Sequence, residues 1–261
     1  MRFGVCISTD MSKLETIKRL GYDYAEICLS ALSKWTDEQV EAARCEMERL
    51  GIWAEACNGF FFGFDQGYLT GETADLAVLE EYTRMALGKA ARLGLKVAVI
   101  GSGKARSILD ESKRAEGEQR FAQVLRMAGD VAAEFGITIV IEPLRQSECN
   151  LVNTVADGIA MCRLANHPNV FVLADFFHVG MSGESLDAIR TCGDLLRHTH
   201  IARNNPDRQM PVNPEDMPDC LRWAAALKEN GYSARMSMEG GMGNDWVKTA
   251  EKMREVLKVF E

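Results

Sequence analysis

Short apolar runs and longer amphipathic stretches alternate along the whole chain. The runs are rich in β-branched residues, as in Ile137-Thr-Ile-Val-Ile-Glu142 and Val170-Phe-Val-Leu-Ala-Asp175. Continuous runs of this length predict buried parallel strands. They fall at about 2–8, 24–29, 52–57, 95–100, 137–142, 170–175, 196–201 and 234–239. Between them apolar residues recur at helical spacing. Helices are predicted over Thr36 to Leu50, Thr73 to Leu93, Arg114 to Phe135, Thr154 to Ala165 and Pro218 to Asn230. Thr36 followed by Asp37 and Glu38 is a helix start, and Gly51, Gly94, Gly136 and Gly231 stand where helices end. Eight β/α units without a Pro- or Ser-rich linker predict α/β architecture, a single (β/α)₈ TIM-barrel domain over 1–261. A doubly wound open sheet is the alternative. It would call for a Gly-rich loop after the first strand, and Ser8-Thr-Asp-Met11 is not one.

Four of the runs close on an ionisable residue: Glu142, Asp175, His200 and Glu239. The C-terminal strand ends of such a barrel carry its chemistry. Alternation along each strand puts Glu142 on the same face as Val140 and Thr138. Likewise it groups Asp175 with Leu173 and Phe171, and His200 with His198. Each candidate is then the topmost inward residue of its strand. Alone, each reads equally well as a rim carboxylate or a satisfied core histidine. Together, three carboxylates and an imidazole predict a site for one divalent metal ion. Mn²⁺ and Mg²⁺ suit this set best, with Co²⁺ or Zn²⁺ compatible. The set lacks thiolates, so a structural zinc is not expected.

Composition narrows the partners. Among 261 residues the net charge is −8, with no local basic stripe, which argues against nucleic acid. Eight cysteines without a CxxC pair predict buried free thiols in a reducing compartment. The opening Met1 to Ser8 runs straight into a strand, unlike a signal peptide. No apolar run is long enough for a membrane span, and a cytoplasmic protein is expected. Two loops on the predicted active face are long: Asn58 to Gly71, with Phe60, Phe61, Phe62 and Phe64, and Arg203 to Pro214. The rings suit packing against the rim, an apolar wall over the site, or both. The loop Gly101-Ser-Gly-Lys-Ala-Arg106 reads either as a cradle for a phosphate or acidic sugar, with Arg106 among its cations, or as a plain turn.

Further motifs gather in the second half: Ile141-Glu-Pro-Leu144, Glu148, Asn150-Leu-Val-Asn-Thr154, Ala174-Asp-Phe-Phe-His178, His198-Thr-His-Ile-Ala202 and Met238-Glu-Gly240. With these the chain resembles the xylose isomerase-like sugar isomerase/epimerase barrels, nearest in motif to the ketose 3-epimerases. The resemblance implies that Glu142, Asp175, His200 and Glu239 hold the metal and that Glu142 and Glu239 double as the acid/base pair. It implies substrate contacts from His178, Glu148 and Arg208; Asn58, at the start of the long aromatic loop, is a further candidate for substrate binding. The loop after the seventh strand looks longer than in the epimerases, which leaves Arg203 competing with Arg208. Where a typical ketose epimerase follows Glu-Pro-Leu with Asn-Arg, this chain has Arg145-Gln146, so no particular sugar carries over. His198, one inward layer below His200, is expected to be a hydrogen-bonded core histidine.

The chemistry this implies is proton transfer beside a carbonyl. A metal on two adjacent substrate oxygens stabilises the enediolate, while two carboxylates remove and return the proton. Return to the opposite face epimerises; transfer to the neighbouring carbon isomerises. The same site could dehydrate a polyol or keto-sugar by expelling a β-leaving group. A zinc phosphodiesterase of the abasic-site endonuclease type would need more histidines than His167, His178, His198 and His200. A non-catalytic sugar-binding subunit has no use for two basic glutamates beside a metal. A small sugar or sugar derivative is the expected partner, and a homo-oligomer is compatible with the sequence.

Overall fold

The computed structural model describes residues 1–261. Eight parallel strands, Arg2–Ser8 (β1), Tyr24–Cys28 (β2), Trp53–Asn58 (β3), Val97–Ile100 (β4), Thr138–Ile141 (β5), Val170–Asp175 (β6), Leu196–Ile201 (β7) and Arg235–Met238 (β8), close into a barrel in chain order. β1 pairs with both β2 and β8, which closes the ring. Strands buried on both faces need apolar residues at nearly every position, and this is why they read as continuous runs. Their inward residues Val97, Val99, Val140 and Leu173, with Phe171, fill the barrel itself. The outward residues pack against the surrounding helices in one continuous core.

Three strands end a residue earlier than the apolar pattern predicts, yet the ladder does not stop there. Glu142 N donates to Ile100 O at 3.2 Å, and Glu239 N donates to Ile201 O at 3.2 Å. Both glutamates are thus anchored by backbone to the neighbouring strand. Helix starts follow capping chemistry. Thr36 and Thr154 each sit in a reciprocal capping box, with Gln39 and Asp157. The helix expected from Thr73 begins instead at Leu76, because the Asp75 side chain accepts from Ala77 N and Val78 N. Gly51 ends its helix at φ 63°, a left-handed conformation that costs glycine little.

All eight cysteines are unpaired; Cys57, Cys149, Cys162 and Cys220 are buried as expected, whereas Cys6, Cys28 and Cys192 are half-buried and Cys45 is exposed. No helix is long and apolar enough to cross a membrane. In the long loop after β3, Phe60 and Phe61 are fully buried. Phe61 packs edge-on to Phe64, with ring centroids 5.4 Å apart, and Tyr82 Oη donates to Phe60 O at 2.6 Å. Phe62 turns outward, 74% exposed. Packing against the rim therefore accounts for three of these four rings.

Candidate metal and substrate site

The barrel brings the four strand-end residues together. One ligand atom from each of Glu142, Asp175, His200 and Glu239 lies within 4.8 Å of all the others. His200 Nδ1 stands between two carboxylates, 3.2 Å from Glu142 Oε1 and 3.0 Å from Glu239 Oε2. Asp175 is fixed by its own chain: Oδ1 accepts from Phe177 N at 2.8 Å and caps the short helix that follows. That leaves Oδ2 to face the site. Asp175 and His200 are direct neighbours in the β6–β7 register.

Glu142 needs a close approach from the next strand. A Cβ on Gly101 would lie 2.3 Å from Glu142 Oε2. Glycine at the head of β4 therefore makes room for the carboxylate.

The other predicted residues divide. Arg208 reaches in: its terminal nitrogen lies 2.5 Å from both Asp175 Oδ2 and Glu239 Oε2. Its guanidinium also covers the Phe177 ring at 4.7 Å. Arg203 is turned away, 3.1 Å from Asp216. The competition between the two arginines is set by loop conformation, with Arg208 itself held at φ 46°. Asn58, the last residue of β3, donates to Glu239 Oε1 at 2.6 Å. His178 is buried; its Nδ1 accepts from Arg145 N at 3.3 Å, and its Nε2 has no hydrogen-bond partner. Nε2 lies 3.7 Å from Asp175 Oδ2. Glu148 sits on the rim, paired with Arg145 at 2.7 Å.

Arg106 does not join this group as an exposed cradle would require. It is fully buried, donates to Glu142 O at 2.7 Å and lies over the Phe121 ring at 5.8 Å. Lys104 is the exposed cation of that loop. His167 pairs with Asp130 at 3.0 Å, away from the site.

One residue that the sequence pattern does not single out is central here. Glu26, on β2, is completely buried in the barrel, with His198 Nε2 2.9 Å from Oε2 and His200 Nε2 2.9 Å from Oε1. His198 is thus a hydrogen-bonded core histidine, as its parity predicts. A signal for Glu26 does exist: it is a lone carboxylate inside the apolar run Tyr24-Ala-Glu-Ile-Cys28. Its parity matches that of Tyr24, whose hydroxyl meets Ser237 Oγ at 2.8 Å within the barrel.

The electrostatics follow from this crowding. Burial opposes ionisation of Glu26, but His200 and His198 outweigh it and hold the carboxyl well below its ordinary range. Burial likewise disfavours the charged imidazole of His200, yet Glu239 and Glu26 push it well above the usual histidine range. The two outer glutamates split. Burial, then the charge of Glu239, raises Glu142. Glu239 is lowered, because His200 and Arg208 overcome its burial.

A family model described as the xylose isomerase-like TIM barrel matches residues 14–260. The chain belongs to that family. Within it, the D-psicose 3-epimerase of Agrobacterium fabrum is 26% identical over 254 residues, covering 95% of this chain and 83% of that protein. A crystal structure of D-psicose 3-epimerase with D-tagatose from Clostridium cellulolyticum H10 matches with TM-score 0.81 at 21% identity, covering 100% of both chains. The IOLI protein with a bound zinc atom matches with TM-score 0.81 at 19% identity, covering 100% of this chain and 98% of that one. At such identities the structural likeness speaks for the fold. Relatives by sequence are named as epimerases and isomerases, and this xylose isomerase-like chain is an enzyme of that class, a sugar isomerase/epimerase.

Proposed function

We propose that the chain is a divalent-cation-dependent sugar epimerase or isomerase in which Glu142 and Glu239 exchange a proton at a carbon next to a carbonyl. The observation that carries this is the pair of carboxylates flanking His200 Nδ1 at 3.2 and 3.0 Å, one from β5 and one from β8.

The donor set fits a hard or borderline dication. Three carboxylates and one imidazole nitrogen converge within 4.8 Å, and the far nitrogen of that imidazole is held by a buried carboxylate, as metal-bound histidines generally require. Glu142, Asp175, His200 and Glu239 would hold it, and Mn²⁺ is the ion we favour. When bound, the cation supplies positive charge that stabilises an enediolate developing on adjacent substrate oxygens.

The protein's own groups do the rest. Glu142 and Glu239 enter from well-separated strands, so one can take a proton from one face of the sugar while the other delivers to the opposite face. His178, with Nδ1 engaged by the Arg145 N–H, presents an Nε2–H to a substrate oxygen. Arg208 and Asn58 orient Glu239 from two sides. Arg208 also offers donors to the sugar, and Glu148 stands at the outer end of the site. The buried Phe60 and Phe61 keep water from the β3 side. Because the relatives by sequence act on ketoses by name, a free ketose is the substrate class we favour.

The test uses Mn²⁺-loaded protein in D₂O with D-psicose, D-tagatose and L-ribulose, followed by NMR. Deuterium should enter beside the carbonyl and an epimer or aldose should accumulate. Glu142→Gln and Glu239→Gln should each slow exchange by about 10²–10⁴-fold. Near-normal turnover in either variant removes the acid/base assignment, and loss of water in place of exchange makes the enzyme a dehydratase.

A further inference from the structure

Deep in the barrel, behind His200, lies a polar cluster whose other members the acid/base reading does not use. Glu26 has zero solvent exposure, and so have His198, His200 and Ser237. Each carboxylate oxygen of Glu26 meets one imidazole, both at 2.9 Å. Residues 26, 198 and 200 come from β2 and β7, strands three places apart around the ring. A buried carboxylate is retained only when its charge is met by donors, and here the donors are two ring N–H groups.

This arrangement has a consequence for His200. An ionised carboxylate can only accept. The nitrogen of His200 that faces Glu26 must therefore carry hydrogen, which directs the lone pair of the neutral ring to Nδ1. Nδ1 is the atom that lies among Glu142, Asp175 and Glu239. We propose that Glu26 is a positioning residue that fixes the Nε2–H tautomer and ring orientation of His200, so that Nδ1 faces a divalent cation at the barrel mouth as a ready donor. His198 occupies the second oxygen of Glu26 and keeps the carboxylate from rotating away. Ser237 Oγ, 3.5 Å from His198 Nε2 and 2.8 Å from Tyr24 Oη, closes the cluster on the β8 side. Glu26 touches neither substrate nor reacting atoms, and its role rests on the proposed cation site.

Glu26→Gln is the discriminating change. It preserves size but replaces an acceptor-only group with one that both accepts and donates. Its amide nitrogen would face one of the two imidazoles and demand a lone pair there. If that ring is His200, Nδ1 becomes protonated and points hydrogen at the cation; if it is His198, His200 is left with a neutral amide oxygen behind it and its Nδ1 loses the basicity that the carboxylate lends it. Mn²⁺ affinity, measured by isothermal titration, should weaken by about 10–100-fold, the usual cost of removing a carboxylate behind a metal-bound histidine. Glu26→Asp keeps the charge and should recover part of the loss. His198→Gln leaves the contact between Glu26 and His200 and should bind Mn²⁺ within a few-fold of wild type. Glu26→Gln binding Mn²⁺ as tightly as wild type overturns the proposal.

Because a core variant can fail to fold, the wild-type protein supplies a second readout. In the Zn²⁺-loaded state, long-range ¹H–¹⁵N spectra should show His200 protonated at Nε2 with slow exchange. A His200 protonated at Nδ1 overturns the proposal without any variant. If wild type binds no divalent cation at all, the metal reading itself falls, an outcome distinct from a normal Glu26→Gln variant.

Discussion

Gly101→Ala separates ligand geometry from fold more cleanly than any change to the charged residues. Gly101 is buried at the head of β4, and its φ is not in the left-handed region, so alanine meets no backbone penalty. The new methyl would start 2.3 Å from Glu142 Oε2, whereas real contacts of this kind stay beyond 3.0 Å. The carboxylate must retreat by about 0.7 Å or more, or rotate out of the site. A misplacement near 1 Å at a reacting group costs about 10²-fold in rate. At 1.36 kcal/mol per tenfold this is about 2.7 kcal/mol of barrier. The assay is deuterium exchange on the best ketose of the panel, with Mn²⁺ affinity and Tm measured in parallel. We expect exchange to fall by about two orders of magnitude, weaker Mn²⁺ binding and near-normal Tm. Gly88→Ala serves as control: its methyl meets only the Phe135 ring, at 3.6 Å, inside a helix. It should add about 0.5–1 kcal/mol of stability and leave exchange unchanged. Wild-type exchange and affinity in Gly101→Ala would refute the placement of Glu142.

Other consequences can be checked independently. With Arg208 donating to the sugar as proposed, Arg208→Met should raise KM by about 10–100-fold, from the loss of charged hydrogen bonds worth about 1.5–3 kcal/mol. Mn²⁺ should bind at least as tightly, since a like charge has left Asp175 and Glu239; weaker Mn²⁺ binding would contradict the shared-carboxylate geometry. Burial disfavours the charged His200 ring, but Glu239 and Glu26 outweigh it and push it above its ordinary range, so a proton competes with the cation for Nδ1. Mn²⁺ must displace that proton, and titration in buffers of different ionisation heat should report release of about one proton per ion, with affinity falling as pH drops. No buffer dependence would contradict this. Trp223→Ala removes a buried ring stacked on Phe176 at 4.7 Å and should cost about 3–5 kcal/mol, read as a lowered denaturant midpoint; an unchanged midpoint would contradict the packing.

Strands and the inward-turned residues at their ends were readable from sequence because both obey local rules. A parallel strand covered on both faces spells a continuous apolar run, and period-two alternation then tells which end residues turn inward. Val140 and Leu173 do lie inside the barrel, on the parity of Glu142 and Asp175. What escaped depends on partners distant in sequence. Glu26 meets a histidine 174 positions away, and a single glutamate in a strand looks the same whether it crosses the barrel or lies at a rim. Arg106 sits in a Gly-rich turn whose composition suggests solvent or an anion, yet its guanidinium folds inward onto the Glu142 carbonyl. Choosing Arg208 over Arg203 requires the path of the loop. That path is set by backbone bonds such as Gly241 N to Arg208 O at 2.7 Å, which no local pattern encodes.

Anomalous scattering from Mn²⁺-soaked crystals, collected at the manganese edge, bears most directly on the cation site. One strong peak is expected at about 2.0–2.4 Å from oxygens of Glu142, Asp175 and Glu239 and from Nδ1 of His200. A peak elsewhere, or a His200 ring turned so that Nε2 faces the ion, would contradict it.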